Sequence, residues 1–280
     1  MELLGSRLYP LHLVTLLIVA LLQSMYISNN GYSFVYLFNN AYHFILNLGF
    51  ASNWGLESGW SFNGPVWSVS IEILLYFVFF ILAYYGLSHS MICLAISVIA
   101  FAISLTSEHY IFKGLSLFFL GGVVFHSTIL ITTKFQILKS LIHYVAALTW
   151  LLTIVNFYVF SISAIILKFG FMGSIFLKGF PVYILFPFTV CSLSLIEIDR
   201  GHFLKPISWI GDITYSSYLL HFPLQLIFGL AVSYDYLNYN FYLNPISLIV
   251  FFSLLIPLSY ITFKGFERPM QKLIRSKLKV

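Results

Sequence analysis

The sequence predicts an all-α, polytopic membrane protein, a bundle of about eight transmembrane helices forming a single integral-membrane domain over residues 1–280. Three observations carry this. Hydrophobic residues make up 60% of the chain and charged residues 8%, and the mean hydropathy is +0.94, beyond what a soluble domain keeps in water. Apolar windows approaching the roughly 20 residues that cross a bilayer recur along the whole length. The basic residues also fall almost entirely on alternate connections.

The first window, Leu8 to Tyr26, follows Arg7 and lacks a small-residue cleavage site, so it reads as a span and not a signal peptide. Val66 to Tyr85, Met91 to Leu105, Leu115 to Ile131 and Leu141 to Phe160 come next. Pro181 to Ile196, Trp209 to Ser233 and Ile246 to Phe266 complete the set. Ile162 to Phe176 is apolar but interrupted by Lys168, Gly170 and Gly173, which suggests a loop or re-entrant segment.

Starting the first span in the cytoplasm places Arg7, Lys134, Lys139, Arg200, Lys205, Lys264, Arg268, Lys272, Arg275, Lys277 and Lys279 inside. Only Lys113, Lys168 and Lys178 then lie outside, as the positive-inside rule expects, and an even helix count leaves both termini cytoplasmic. The longest connection, about Ile27 to Gly64, falls on the outer face. With Trp54, Trp60, His43 and several Asn it is either a sugar platform or a plain connector.

Several function classes are excluded. Cys93 and Cys191 sit in apolar runs as small buried hydrophobes, so no disulfide framework or metal cluster is expected. Phosphate loops, EF-hand spacing and nucleophile elbows are absent. The net charge of +5 comes largely from a basic tail, which topology explains better than nucleic-acid binding does.

Glu72 is the acidic residue well inside a window, roughly 10 Å below Pro65 at 1.5 Å per residue. Ser68, Glu72 and Tyr76 share one helical face. A second polar stripe carries Thr214, Ser217, Tyr218, His221 and Gln225, and Pro223 opens its helix. Counted from opposite boundaries of a core about 30 Å thick, Glu72 and His221 come to a similar depth. Ionisable groups there are either structural glue between helices or the lining of a functional cavity. His126 reads as a packed residue, and His12 and His43 as solvated ones. No pair of intramembrane carboxylates stands at metal-ligand spacing, so neither a metal nor a bound cofactor is expected.

Four segments carry a resemblance. Asn63-Gly-Pro-Val-Trp-Ser-Val-Ser-Ile-Glu with Leu75-Tyr76 resembles the signature of the acyltransferase 3 family, bacterial membrane proteins that O-acylate cell-surface or exported carbohydrates. Ser6-Arg-Leu-Tyr-Pro-Leu-His resembles the start of that family's third helix, Ile210 to Pro223 its ninth, and Phe266-Glu-Arg-Pro the exit of its tenth. The resemblance implies a ten-helix fold that passes an acyl group, usually acetyl, from cytoplasmic acyl-CoA to a hydroxyl of a polysaccharide or glycolipid. It also implies the bacterial inner membrane.

Carried over by motif, Glu72 and His221 are the catalytic candidates. Asn63, Trp67, Ser68, Tyr76, Ser217, Tyr218 and Arg7 are the substrate-binding candidates. The family's first two helices, with the Arg and His commonly assigned to catalysis, have no counterpart. The sequence therefore reads as a truncated, alternatively started or degenerate member lacking the principal catalytic group. Attack of a hydroxyl on a thioester needs a base and oxyanion donors. The competing readings are a transporter or flippase of a lipid-linked or polar solute, for which no inverted repeat is visible, and a noncatalytic scaffold, which gives no reason for the polar stripes.

Overall fold

The structure, a computed structural model, describes residues 2–158 and 162–278, most of which are helical, without a strand among the described residues. Among the described residues seven helices are long and apolar enough to span: Ser6–Asn30, Gly64–Tyr84, Tyr110–Thr133, Leu138–Tyr158, Gly170–Arg200, Lys205–Ser233 and Ile246–Lys277. The eighth expected window, around Met91, is the shorter apolar helix Ser90–Ser104. Phe160, at the end of the fifth window, and Lys279 lie outside the described residues.

The apolar stretch expected to be a loop or re-entrant segment is helical, which excludes the loop. Ile162–Leu167 and Gly170–Phe180 flank a break at Gly170, whose φ of +60° suits glycine. The second piece runs on through a π-helical turn, Pro181–Leu185, into Phe186–Arg200. A proline lacks the N–H that continues the α ladder, and a π turn absorbs that defect without ending the span.

Two compact units divide the chain, Val78–Pro206 and Met1–Phe77 with Ile207–Val280. In the first, Ser90–Ser104 (α4) packs most extensively on Tyr110–Thr133 (α5). Ser97 and Ser116 donate to each other's carbonyl oxygens at 2.8 and 2.9 Å, which lets the two backbones approach closely. Cys93 and Cys191 are buried and free, and His126 packs with Nε2 donating to the Ser88 carbonyl at 2.9 Å.

The second unit holds the two polar stripes around Ser68 and Tyr218. Glu2–Asn30 (α1) packs along Ser208–Ser233 (α10), burying Leu16 and Val19 against Phe222 and Leu226. In lipid such burial gains little from the hydrophobic effect, so close packing and interhelical hydrogen bonds hold the pair.

The connection between α1 and Trp67–Tyr84 (α3) does not stay at the end of the bundle. Gln23 exchanges two hydrogen bonds with the backbone of Phe34, at 2.9 and 3.0 Å. Further along, His12 Nε2 donates to the Asn47 carbonyl at 2.8 Å, where Asn47 lies on the short helix Ala41–Leu48 (α2). Gln23 and His12 are about 16 Å apart on the axis of α1, so the segment descends that far back into the bundle. Phe50 then packs among Leu8, Leu11, Val66, Val69 and Leu219. Val35, Phe50 and Phe62 turn corners of the segment at φ of 59°, 54° and 46°.

This descent corrects two expectations. His12 and His43, read as solvated, are 1% and 2% exposed. His43 bonds Asn40 Oδ1 at 2.8 Å and accepts from the Ser58 N–H at 3.1 Å, so the connection is a packed element.

Candidate active site

The descending segment sets where α3 begins. Buried Asn63 donates from Nδ2 to the Leu219 carbonyl at 3.0 Å, which fixes the start of α3 to the middle of α10. Pro65 and Ser68 follow at the level of Tyr218. The Tyr218 hydroxyl donates to the Pro65 carbonyl and so receives its bond from Ser68 Oγ, at 2.7 Å.

His221 stands one turn further along α10. Its Nδ1 lies 2.6 Å from the Tyr218 carbonyl oxygen, which can only accept. The neutral imidazole is therefore protonated on Nδ1 and keeps the Nε2 lone pair, the arrangement a proton acceptor needs. Its ring centroid is 5.7 Å from that of Tyr218.

Glu72 lies in the other direction. Its carboxylate accepts from the Tyr76 hydroxyl at 2.9 Å, one helical turn away, and is exposed in the bundle. It is within electrostatic range of Tyr215 and Tyr218, and Arg7 is within range of Tyr76 and Tyr215. Glu72 thus belongs at the Arg7 end of the unit, near Tyr215 and roughly 9 Å along α10 from His221. The expected common depth of Glu72 and His221 is not met, because α3 starts deep in the bundle and not at its boundary. No hydrogen bond joins the two among the described residues; Tyr218 lies between them.

Arg7 is tied down from the far end of the sequence. Its Nε donates to Glu267 Oε1 at 3.1 Å, and Ser216 Oγ donates to Glu267 Oε2 at 2.6 Å. Glu267 sits in a π-helical turn, Phe263–Glu267, which rotates it into the bundle. The Arg7 side chain remains 41% exposed, and Nε is the atom that bonds Glu267. Tyr215 donates to the Leu8 carbonyl at 2.6 Å and closes this end.

On the His221 side, the descending segment supplies aromatic rings. Tyr36 lies 4.9 Å from Phe222 and stacks at 6.4 Å on Trp60, which meets Trp67 edge-on at 5.6 Å. Burial pushes the Tyr36 phenol above its ordinary pKa and nearby Tyr218 adds to this, so it stays a neutral hydroxyl. Gly64 admits the Tyr36 ring: a Cβ there would lie 2.3 Å from the ring carbon Cε2.

Of the sequence candidates, the fold gathers Asn63, Trp67, Ser68, Tyr218 and His221 around one stretch of α10, and Arg7, Glu72 and Tyr76 at one end of it. Ser217 joins neither group; its Oγ donates to the Thr214 carbonyl of its own helix at 3.0 Å. Tyr36 and Asn47 were not named from the sequence, and Tyr215, Ser216, Glu267 and His12 were named there without a role in the site. For Glu267 the signal was present: Arg7 at the mouth of an apolar span needs a counter-charge. Among the described residues no three His, Cys, Asp or Glu side chains converge as a metal site requires.

No protein of curated function and no solved structure matches the chain. A family model described as an acyltransferase domain matches residues 5–264, which takes in every residue of the site except Glu267. The chain is a multi-pass membrane protein and belongs to the acyltransferase 3 family of membrane acyltransferases.

Proposed function

We propose that this protein transfers an acetyl group from cytoplasmic acetyl-CoA to a hydroxyl of a cell-surface or exported polysaccharide or glycolipid, across the bacterial inner membrane, with both termini in the cytoplasm. The observation that carries this reading, in a sequence without a counterpart of the Arg and His that the resemblance assigns to catalysis, is the Nδ1–H of His221 held on the Tyr218 carbonyl, which frees Nε2 as a base in their place.

In the reaction, the acceptor hydroxyl oxygen attacks the thioester carbonyl carbon while its proton passes to His221 Nε2. The new C–O bond forms, the C–S bond breaks, and the departing CoA thiolate takes the proton back from the imidazolium. Ser68, whose hydroxyl donates to Tyr218 in the resting site, steadies the oxyanion by turning that proton to the substrate. Arg7 holds a donor phosphate through its guanidinium, with Glu267 fixing its orientation. Glu72 and Tyr76 line the same end. The rings of Tyr36, Trp60 and Trp67 offer flat apolar faces to a sugar.

The test is transfer of labelled acetyl from acetyl-CoA to surface glycan in membranes holding the wild-type chain or His221→Gln. The reading expects label in glycan that depends on His221. Proton-coupled solute movement without consumption of acetyl-CoA would assign the polar groups to a carrier instead.

A further inference from the structure

The helix Arg268–Leu278 (α13) plays no part in the proposed reaction, yet it is the most strongly amphipathic stretch of the chain. It continues directly from the last span, Ile246–Thr262 (α12), through the π-helical turn. At 100° per residue Arg268, Lys272 and Arg275 fall on one narrow stripe, at spacings of four and three. Met270 and Ile274, both half-buried, lie on another face, and the helix packs against α1.

Among the described residues the stripe has no counter-charge. No acidic residue occurs between Arg268 and Leu278. The nearest in sequence, Glu267, is buried and already committed to Arg7 and Ser216. Among the described residues none of the three basic side chains makes an ion pair. Arg268 and Lys272 are exposed, whereas the Arg275 Nε is buried and without a hydrogen-bond partner. A buried charged donor left unsatisfied is costly, which points to an acceptor supplied from outside the chain.

The surroundings say which acceptor. Lys264, one turn before α13, sits with its ammonium 4.4 Å from the centroid of the Tyr260 ring. Such a cation on an aromatic ring suits the headgroup level of a bilayer, where Tyr and Lys anchor the ends of spans. A basic stripe just beyond that level faces lipid phosphates, and clusters of Lys and Arg next to a span bind anionic headgroups.

We propose that Arg268, Lys272 and Arg275 form a binding site for the phosphate of an anionic phospholipid, with the fork of Arg275 closing on the phosphate oxygens. The proposal is independent of the acyl-transfer reading, because it uses no residue of the site around Tyr218.

The experiment uses the full chain in detergent, titrated with short-chain phosphatidylglycerol or phosphatidylcholine, with bound lipids counted by native mass spectrometry. Phosphatidylglycerol should bind preferentially, and each charge removed from the stripe should lower its affinity roughly fivefold. The variant is Arg268→Gln, Lys272→Gln and Arg275→Gln together. A control removes the same number of charges elsewhere, with Lys113→Gln, Lys168→Gln and Lys178→Gln, and should keep the preference. Should the triple variant fail to fold, the exposed Lys272→Gln alone carries the test. Equal binding of the two lipids, or a preference that survives the stripe variant, would overturn the proposal. So would displacement of phosphatidylglycerol by millimolar inorganic phosphate, which would assign the stripe to a soluble phosphate compound.

Discussion

Arg7 and Glu267, 260 residues apart in the chain, form an ion pair at 3.1 Å in which the carboxylate is almost fully buried. Ser216 adds a second bond to the same carboxylate, so three segments meet at one group. Removing the cation strands the carboxylate without a counter-charge. Because Arg7 is partly solvated, Arg7→Ala is expected to cost about 1–3 kcal/mol, less than for a fully buried pair. Arg7→Lys should recover part of this but not all, since an ammonium lacks the guanidinium fork. Thermal unfolding in detergent of the two variants checks the order.

His12 holds the descending segment in place. His12→Phe keeps the ring that stacks on Phe50 at 4.1 Å but takes one of two donors from the Asn47 carbonyl, leaving it the Phe50 N–H at 3.0 Å. The expected loss is about 0.5–1.5 kcal/mol, with faster hydrogen exchange across residues 41–63. His12→Gln, which can still donate, should exchange more slowly than His12→Phe. Equal exchange in both would show that the bond does not hold the segment.

Gly64→Ala should force the Tyr36 ring out of its position, since the added Cβ would lie 2.3 Å from it. Overpacking of this kind costs roughly 1–3 kcal/mol. The ring is the obstacle, so Tyr36→Ala in the Gly64→Ala background should restore stability. Failure of that rescue would mean that the backbone at Gly64, not the ring, requires glycine.

Glu72→Gln should separate activity from folding. The carboxylate is exposed in the bundle and its hydrogen bond, to Tyr76, can be kept by a glutamine oxygen. Melting temperature should stay within a degree or two of wild type, as for surface changes within about 0.5 kcal/mol. Acetyl transfer should fall if the charge serves the site. A large loss of stability with unchanged transfer would return Glu72 to a structural role.

Much of the bundle was legible in the sequence, because spans are written in windows of apolar residues and little else competes with that signal. The polar stripes were legible too: Ser68 and Tyr218, named from helical spacing on separate helices, meet at 2.7 Å. Depth was not. Counting Glu72 down from an assumed boundary fails when the preceding 30-odd residues dive about 16 Å into the bundle, and no local pattern announces such a dive. What the segment does reveal in hindsight is Asn and His at positions that pair with backbone, such as Asn39, Asn47 and His43, unneeded in a solvated connector. The partner of Arg7 was hidden for a different reason. Glu267 lies at a helix end in sequence, and only a π turn brings it inward.

The most direct test of the account is a single-turnover assay of the purified, reconstituted chain with labelled acetyl-CoA and acceptor glycan, comparing wild type with His221→Gln. The account predicts a rate lowered by about 10²–10⁴ in the variant, with folding and acetyl-CoA affinity unchanged. Transfer at the wild-type rate by His221→Gln would contradict it.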